Sequence, residues 1–95
     1  MVVGVGTVEL FIPEARSLKD KRSVVRSVVQ RVQNQFHISV AEVESLDVLQ
    51  TATIGFAVVT NDSRLANSIL SKVVDAVEGY YLAEVTRSDL EVLHV

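Results

Sequence analysis

The apolar residues of this chain repeat at two different periods, and the order of those periods is what most restricts its fold. Near the N-terminus Val8, Leu10 and Ile12 share one face while Thr7, Glu9 and Phe11 share the other. A period of two among β-branched residues predicts a strand over residues 2–12. Pro13 ends it, because proline has no amide proton to give to a ladder. From Ser17 the period lengthens. Ser17 and Asp20 form an S-x-x-D pattern, a weaker relative of the capping box at a helix start. Leu18, Val25, Val28, Val29, Val32 and Phe36 then follow as the buried stripe of a helix. Valine is a mediocre helix former, so packing rather than propensity has to hold this helix.

Strand chemistry returns in HISVAEVE, with Ile38 and Val40 on one face, and the pattern slips near Ala41 and Glu42, which predicts a bulge. SLDVLQ reads as a hairpin connection. TATIGFAVVT follows, with Ala52, Ile54, Phe56 and Val58 inward and Thr53, Gly55, Ala57 and Val59 outward. Asn61 or Asp62 is placed to cap a second helix whose Leu65, Ile69, Val73 and Val77 face the core, with Ala66, Leu70 and Ala76 alongside. Gly79 stands where a left-handed residue closes a helix. YYLAEVTRSDLEVLHV reads as a last strand, with a break expected at Ser88-Asp89.

The order is β-α-β-β-α-β. It predicts one ferredoxin-like α+β domain over residues 1–95, a four-stranded antiparallel sheet with both helices on one face. The other face is then uncovered and carries Val3, Val5, Thr7, Glu9, Phe11, Thr53, Gly55, Ala57 and Val59. An exposed apolar sheet face marks an interaction surface, so Phe11, Ala57 and Val59 are candidates for an oligomer interface.

Apolar residues are 48% of the chain and charged residues 22%, which fits a folded chain rather than a disordered one. Cysteine is absent, so disulfides, thiolate metal sites and cysteine nucleophiles are excluded, and a reducing compartment is consistent with this. MVVGVGTVELFIP lacks a basic start and is interrupted by Glu9, so it reads as a strand and not as a signal peptide. No apolar run approaches the roughly 20 residues that cross a bilayer. The chain is expected to be soluble and cytoplasmic.

Charge is distributed unevenly. Six of the nine Lys and Arg residues lie between Arg16 and Arg31, and Asp20 is the only acid among them. That segment therefore carries +5 and the remainder −8 within a net charge of −3. Lys19, Arg22 and Arg26 form a stripe roughly opposite the apolar one, flanked by Arg16 and Arg31. Lys21 lies nearer the core edge, where its stem packs and its ammonium is expected to snorkel outward. Such a stripe suits a phosphate backbone. The blander account is a solvated helix face, and a sequence pI near 5.2 counts against indiscriminate nucleic-acid binding.

The remaining chemistry is sparse. RNA-recognition modules of similar topology stack bases on paired aromatics of the central strands, and TIGFAVVT lacks both that pair and its basic start. Ferredoxin-like acylphosphatases hold phosphate in a glycine-rich loop, whereas FIPEARS has Arg16 but no glycine. The glycines of GVG sit inside a strand and make no dinucleotide fingerprint. His37 and His94 have no metal-ligand spacing. Glu42, Glu44 and Asp47 cluster near the hairpin and read as a solvated acidic loop rather than a cation site. Ser17 is a cap. No acid, base and oxyanion donor assemble, so no catalytic residue, metal, cofactor or small-molecule substrate is expected.

The stretches VELFIPEARSLKDKRSVVRSVVQRV, FHISVAEV and TATIGFAVVTND resemble the small bacterial YlxP-like proteins, a family of unknown function, over nearly the whole chain. The most specific part runs from Ile12-Pro13 through Ala15-Arg16-Ser17-Leu18-Lys19, Lys21-Arg22 and Val24-Val25-Arg26-Ser27. The resemblance implies the same ferredoxin-like fold. Members of that family often lie in gene clusters with a translation initiation factor and ribosome-binding factor A, which implies, by association, a role near translation or ribosome assembly. It implies no activity and no catalytic residue. Where many relatives have an aromatic after the hairpin acid this chain has Asp47-Val48-Leu49-Gln50, which argues against a stacking role for that loop.

Together these readings predict a non-enzymatic binding module that meets ribosomal RNA or a ribosome-associated protein through Arg16, Lys19, Lys21, Arg22 and Arg26. The alternative is a homo-oligomeric interaction module using the open sheet face.

Overall fold

The computed structural model describes residues 1–95 and has the order β1 (Val2–Phe11), α1 (Leu18–Phe36), β2 (Ser39–Glu44), β3 (Thr51–Thr60), α2 (Ser63–Gly79) and β4 (Glu84–His94). The four strands form one antiparallel sheet in the order β2-β3-β1-β4. This is the ferredoxin-like arrangement that the periods require. Both helices cover one face, α1 toward β2 and α2 over β1 and β4.

Strand parity decides what is buried. Even-numbered residues of β1 and β3, among them Val8, Leu10, Ala52, Ile54 and Phe56, enter a core with Val25, Val28, Val32, Leu70, Val73 and Val77 from the helices. Odd-numbered residues form the open face, where Thr53, expected uncovered, is nonetheless buried. Gly6 belongs to the buried set because a Cβ there would lie 2.5 Å from the Phe56 ring. The missing side chain leaves room for that ring against β1, which accounts for the second glycine of GVG inside a strand.

Helix starts follow local chemistry. Ser17 Oγ accepts a hydrogen bond from the Asp20 amide at 3.1 Å, and Asp20 Oδ2 accepts one from the Arg16 amide at 3.1 Å. The reciprocal bond thus reaches one residue beyond the cap. Asp62, rather than Asn61, caps α2 through the amides of Arg64 and Leu65.

Three expectations are corrected. Leu65 is exposed, and the buried stripe of α2 runs through Ala66, Leu70, Val73, Val74 and Val77, which keep better helical spacing. Gly79 does not take a left-handed conformation; His37 does so after α1 and Tyr81 after α2, each at φ 54°. β4 runs unbroken through Ser88-Asp89, and its irregularity falls instead at Thr86, opposite the step from Glu9 to Leu10. The bulge expected in β2 is present at Val43, between Glu42 and Glu44.

Candidate nucleic-acid interface

The basic segment divides into inside and outside. At about 100° per residue, the buried residues of α1 are Lys21, Val25, Val28 and Val32, a single stripe at i, i+4, i+7 and i+11. Lys21 therefore occupies the first position of the core stripe, and its side chain is 0% exposed. This corrects its assignment to a phosphate-binding face, since its ammonium does not reach solvent. The Lys21 Nζ lies 3.0 Å from Glu42 Oε2 and donates to the carbonyl oxygens of Ser45 and Leu46. Glu42 Oε2 is shut off from solvent and accepts no well-aligned hydrogen bond despite that short distance, so the link is one of charge rather than of directed bonding.

Glu42 is available for this because it shares the core-facing parity of Val40 on β2. The hairpin acids consequently do not converge on a cation, and no group of three or more His, Asp or Glu side chains gathers in metal-holding geometry. Gln50 completes the clamp. Its Nε2 donates to Pro13 O at 2.8 Å, and its backbone carbonyl accepts from the Ile12 amide at 2.8 Å. The β2–β3 loop is thereby pinned to the β1–α1 loop.

Lys19, Arg22 and Arg26 are exposed, on one flank of α1 about a third of a turn from the buried stripe rather than opposite it. Arg16 is exposed just ahead of the helix. None of the four forms an ion pair: the salt bridges are those of Lys21 and Arg87. Arg31 lies on the other flank, with its guanidinium 5.4 Å from the centre of the Tyr80 ring. The Tyr80 hydroxyl is pushed up from its ordinary value by desolvation, which the Arg31 charge partly opposes, and it donates to Gln35 Oε1 at 2.8 Å.

The open sheet face has two zones. Val3 pairs with Val59 and Leu93, and Val5 with Ala57, giving a contiguous apolar area at one end. Toward the other end come Thr7, Glu9 and Arg87, where Arg87 Nε donates to Asp89 at 2.9 Å and lies 4.0 Å from Glu9. The hydrogen bond to Asp89 and the two carboxylate charges hold Arg87 above its ordinary value. Ala57 and Val59 thus lie together, whereas Phe11 stands beyond this charged row and does not belong to the same patch.

A family described as "Protein of unknown function (DUF503)" matches residues 3–90 of this sequence. The chain belongs to that family. It is also 30% identical over 79 residues to "Uncharacterized protein YlxP" of Bacillus subtilis (strain 168), covering 83% of this chain and 86% of that relative. Among solved structures it is similar to a de novo designed protein with ferredoxin fold, at a TM-score of 0.54 and 16% identity over 98% of this chain and 83% of the design. That likeness agrees with the fold and carries nothing about function. No helix of this DUF503 member is long and apolar enough to cross a membrane.

Proposed function

We propose that this protein is a non-enzymatic binding module that contacts RNA, in translation or ribosome assembly, through Arg16, Lys19, Arg22 and Arg26. The observation that carries the reading is four exposed cations without carboxylate partners, three along one flank of α1 and Arg16 just ahead of it, in a chain whose net charge is −3. A solvated face needs no such segregation, and intramolecular pairing was open to these residues in a chain with twelve acids. Phosphate contacts release counterions, so their signature is salt dependence. Binding of the purified protein to small-subunit ribosomal RNA is to be measured across a salt series, beside Arg22→Ala/Arg26→Ala. The expected result is affinity that falls with salt and a slope shallower by about two in the double variant. Equal slopes, or no binding at low salt, would overturn the reading.

The apolar area of Val3, Val5, Ala57, Val59 and Leu93 favours a second reading, a homo-oligomeric protein-interaction module. Val59, at its β3 edge, is 65% exposed, and an exposed apolar area on a sheet face marks an interaction surface. The two readings use different surfaces and are separable by mutation.

A further inference from the structure

The flank of α1 that faces away from the basic stripe lines a groove of about 840 Å³. Its floor is apolar: Ile12 and Ala15 are buried, and Val24 and Leu82 are half-buried. Its rim holds Glu14, Asp20, Glu78 and Glu84, all exposed, and no Lys, Arg or His lines it. None of these four carboxylates is in an ion pair. A second source of negative potential opens beside them. The α2 helix ends at Gly79 with Glu78 and no basic residue in its last turn, so the partial negative charge of its C-terminus is uncompensated. Exposed Tyr81, held at positive φ, stands at the same mouth.

We infer that this groove docks a short basic segment of a partner protein, with apolar side chains on the floor and Lys or Arg side chains at the rim. Charge complementarity selects the occupant. A nucleic-acid strand is repelled by four carboxylates, and a purely apolar segment leaves them without counter-charges. A polyamine satisfies the rim but leaves the floor unused. The two flanks of α1 thereby take ligands of opposite charge, and the inference stands whether or not the basic flank binds RNA.

The probe is a short fluorescein-labelled peptide of alternating lysine and leucine, titrated into the 95-residue chain and followed by anisotropy and amide chemical shifts. Saturable binding is expected, with shifts confined to residues 12–24 and 78–85. Two exposed ion pairs set the scale for the variant: Glu78→Gln/Glu84→Gln is expected to weaken binding about tenfold. Asp75→Asn/Glu91→Gln, which removes two exposed acids outside the groove, is expected to leave binding unchanged. A lysine–serine peptide is expected to bind more weakly than the lysine–leucine one. Equal losses in the two double variants would reduce the effect to overall charge and overturn the inference. So would serine peptide or spermine binding as tightly as the leucine peptide, or shifts elsewhere on the surface. All four substituted residues are exposed, so circular dichroism is expected to report an unchanged fold.

Discussion

Replacing either member of the Lys21–Glu42 pair is expected to destabilise the protein, and by unequal amounts. In Glu42→Gln the Lys21 ammonium stays fully buried with only two carbonyl oxygens and an amide to face it. Breaking a buried pair from one side costs about 3–5 kcal/mol. The glutamine carbonyl dipole can still face Nζ, which places this variant near the lower limit, at about 3 kcal/mol. In Lys21→Met the apolar stem is replaced by one of similar volume, and the charge left behind is less buried, since the Glu42 side chain is 14% exposed. The Ser45 and Leu46 carbonyls belong to an exposed loop and can turn to water, so about 1–2 kcal/mol is expected. A chain of this length has about 5–14 kcal/mol in all, and 3 kcal/mol moves the midpoint down by about 12–24 °C. The double variant Lys21→Met/Glu42→Leu is expected to lie within about 1 kcal/mol of the wild type. Urea unfolding followed by circular dichroism, at low and at high salt, measures all three. A buried pair is poorly screened, so the differences are expected to persist at high salt. Equal costs for Lys21→Met and Glu42→Gln, or costs below about 1 kcal/mol for both, would show that burial of the Lys21 ammonium does not govern the pair.

Gly6→Ala is expected to cost about 1–3 kcal/mol in the same assay, because the added methyl meets the Phe56 ring at 2.5 Å. Phe56→Leu in that background should relieve part of the loss, and additive costs would exclude the clash as the cause. Tyr80 is expected to titrate above 10.0 when phenolate absorbance is followed against pH. Removal of the opposing charge in Arg31→Ala should move it further up. Since the folded state then holds a proton that the unfolded state releases, this group's contribution to stability is present below pH 10 and falls as pH rises beyond it. Val59→Glu is expected to lower the solution mass measured by sedimentation while Arg22→Ala/Arg26→Ala leaves it unchanged. A wild-type protein that sediments as a monomer would remove the sheet reading.

The element order was legible because each element buries one face, and a buried face writes its period into the sequence. The β2 bulge was legible for the same reason, as a slip in that period near Ala41 and Glu42, one residue short of Val43 where it falls. The packed stem of Lys21 was legible, but the burial of its ammonium was hidden because charge marks a group as outward unless a partner for it is known. The usable signals were its place at i−4 from Val25 and i−7 from Val28, and a glutamate at the same parity as Val40 on the neighbouring strand. Gly79 misled because left-handed turns are assigned to glycine by sterics, whereas the fold places them at His37 and Tyr81. The acidic groove had no local signal. It joins residues 12–15 to Asp20, Ser23, Val24, Glu78 and residues 81–85, which only the packing of α1 and α2 on the sheet brings together.

The same packing limits how much charge the basic segment can offer to RNA. Of its six cations, Lys21 faces Glu42 inside the protein and Arg31 lies over Tyr80 on the opposite flank, which leaves Arg16, Lys19, Arg22 and Arg26. Each phosphate neutralised contributes about 0.7–0.9 to the slope of log affinity against log salt. Four contacts therefore set a ceiling of about 3–4 on its magnitude. A measured slope inside that ceiling, roughly halved by Arg22→Ala/Arg26→Ala, fits a site made of these four residues alone. A steeper slope would require cations beyond these four, and exposed Arg31, Arg64 and Lys72 are the residues whose substitution would then have to lower it. In that event the RNA would cross both helices and pass over the acidic groove's neighbourhood, and the lysine–leucine peptide would compete with it. Under the four-residue site the peptide and the RNA bind together, so the salt slope and the competition experiment must agree.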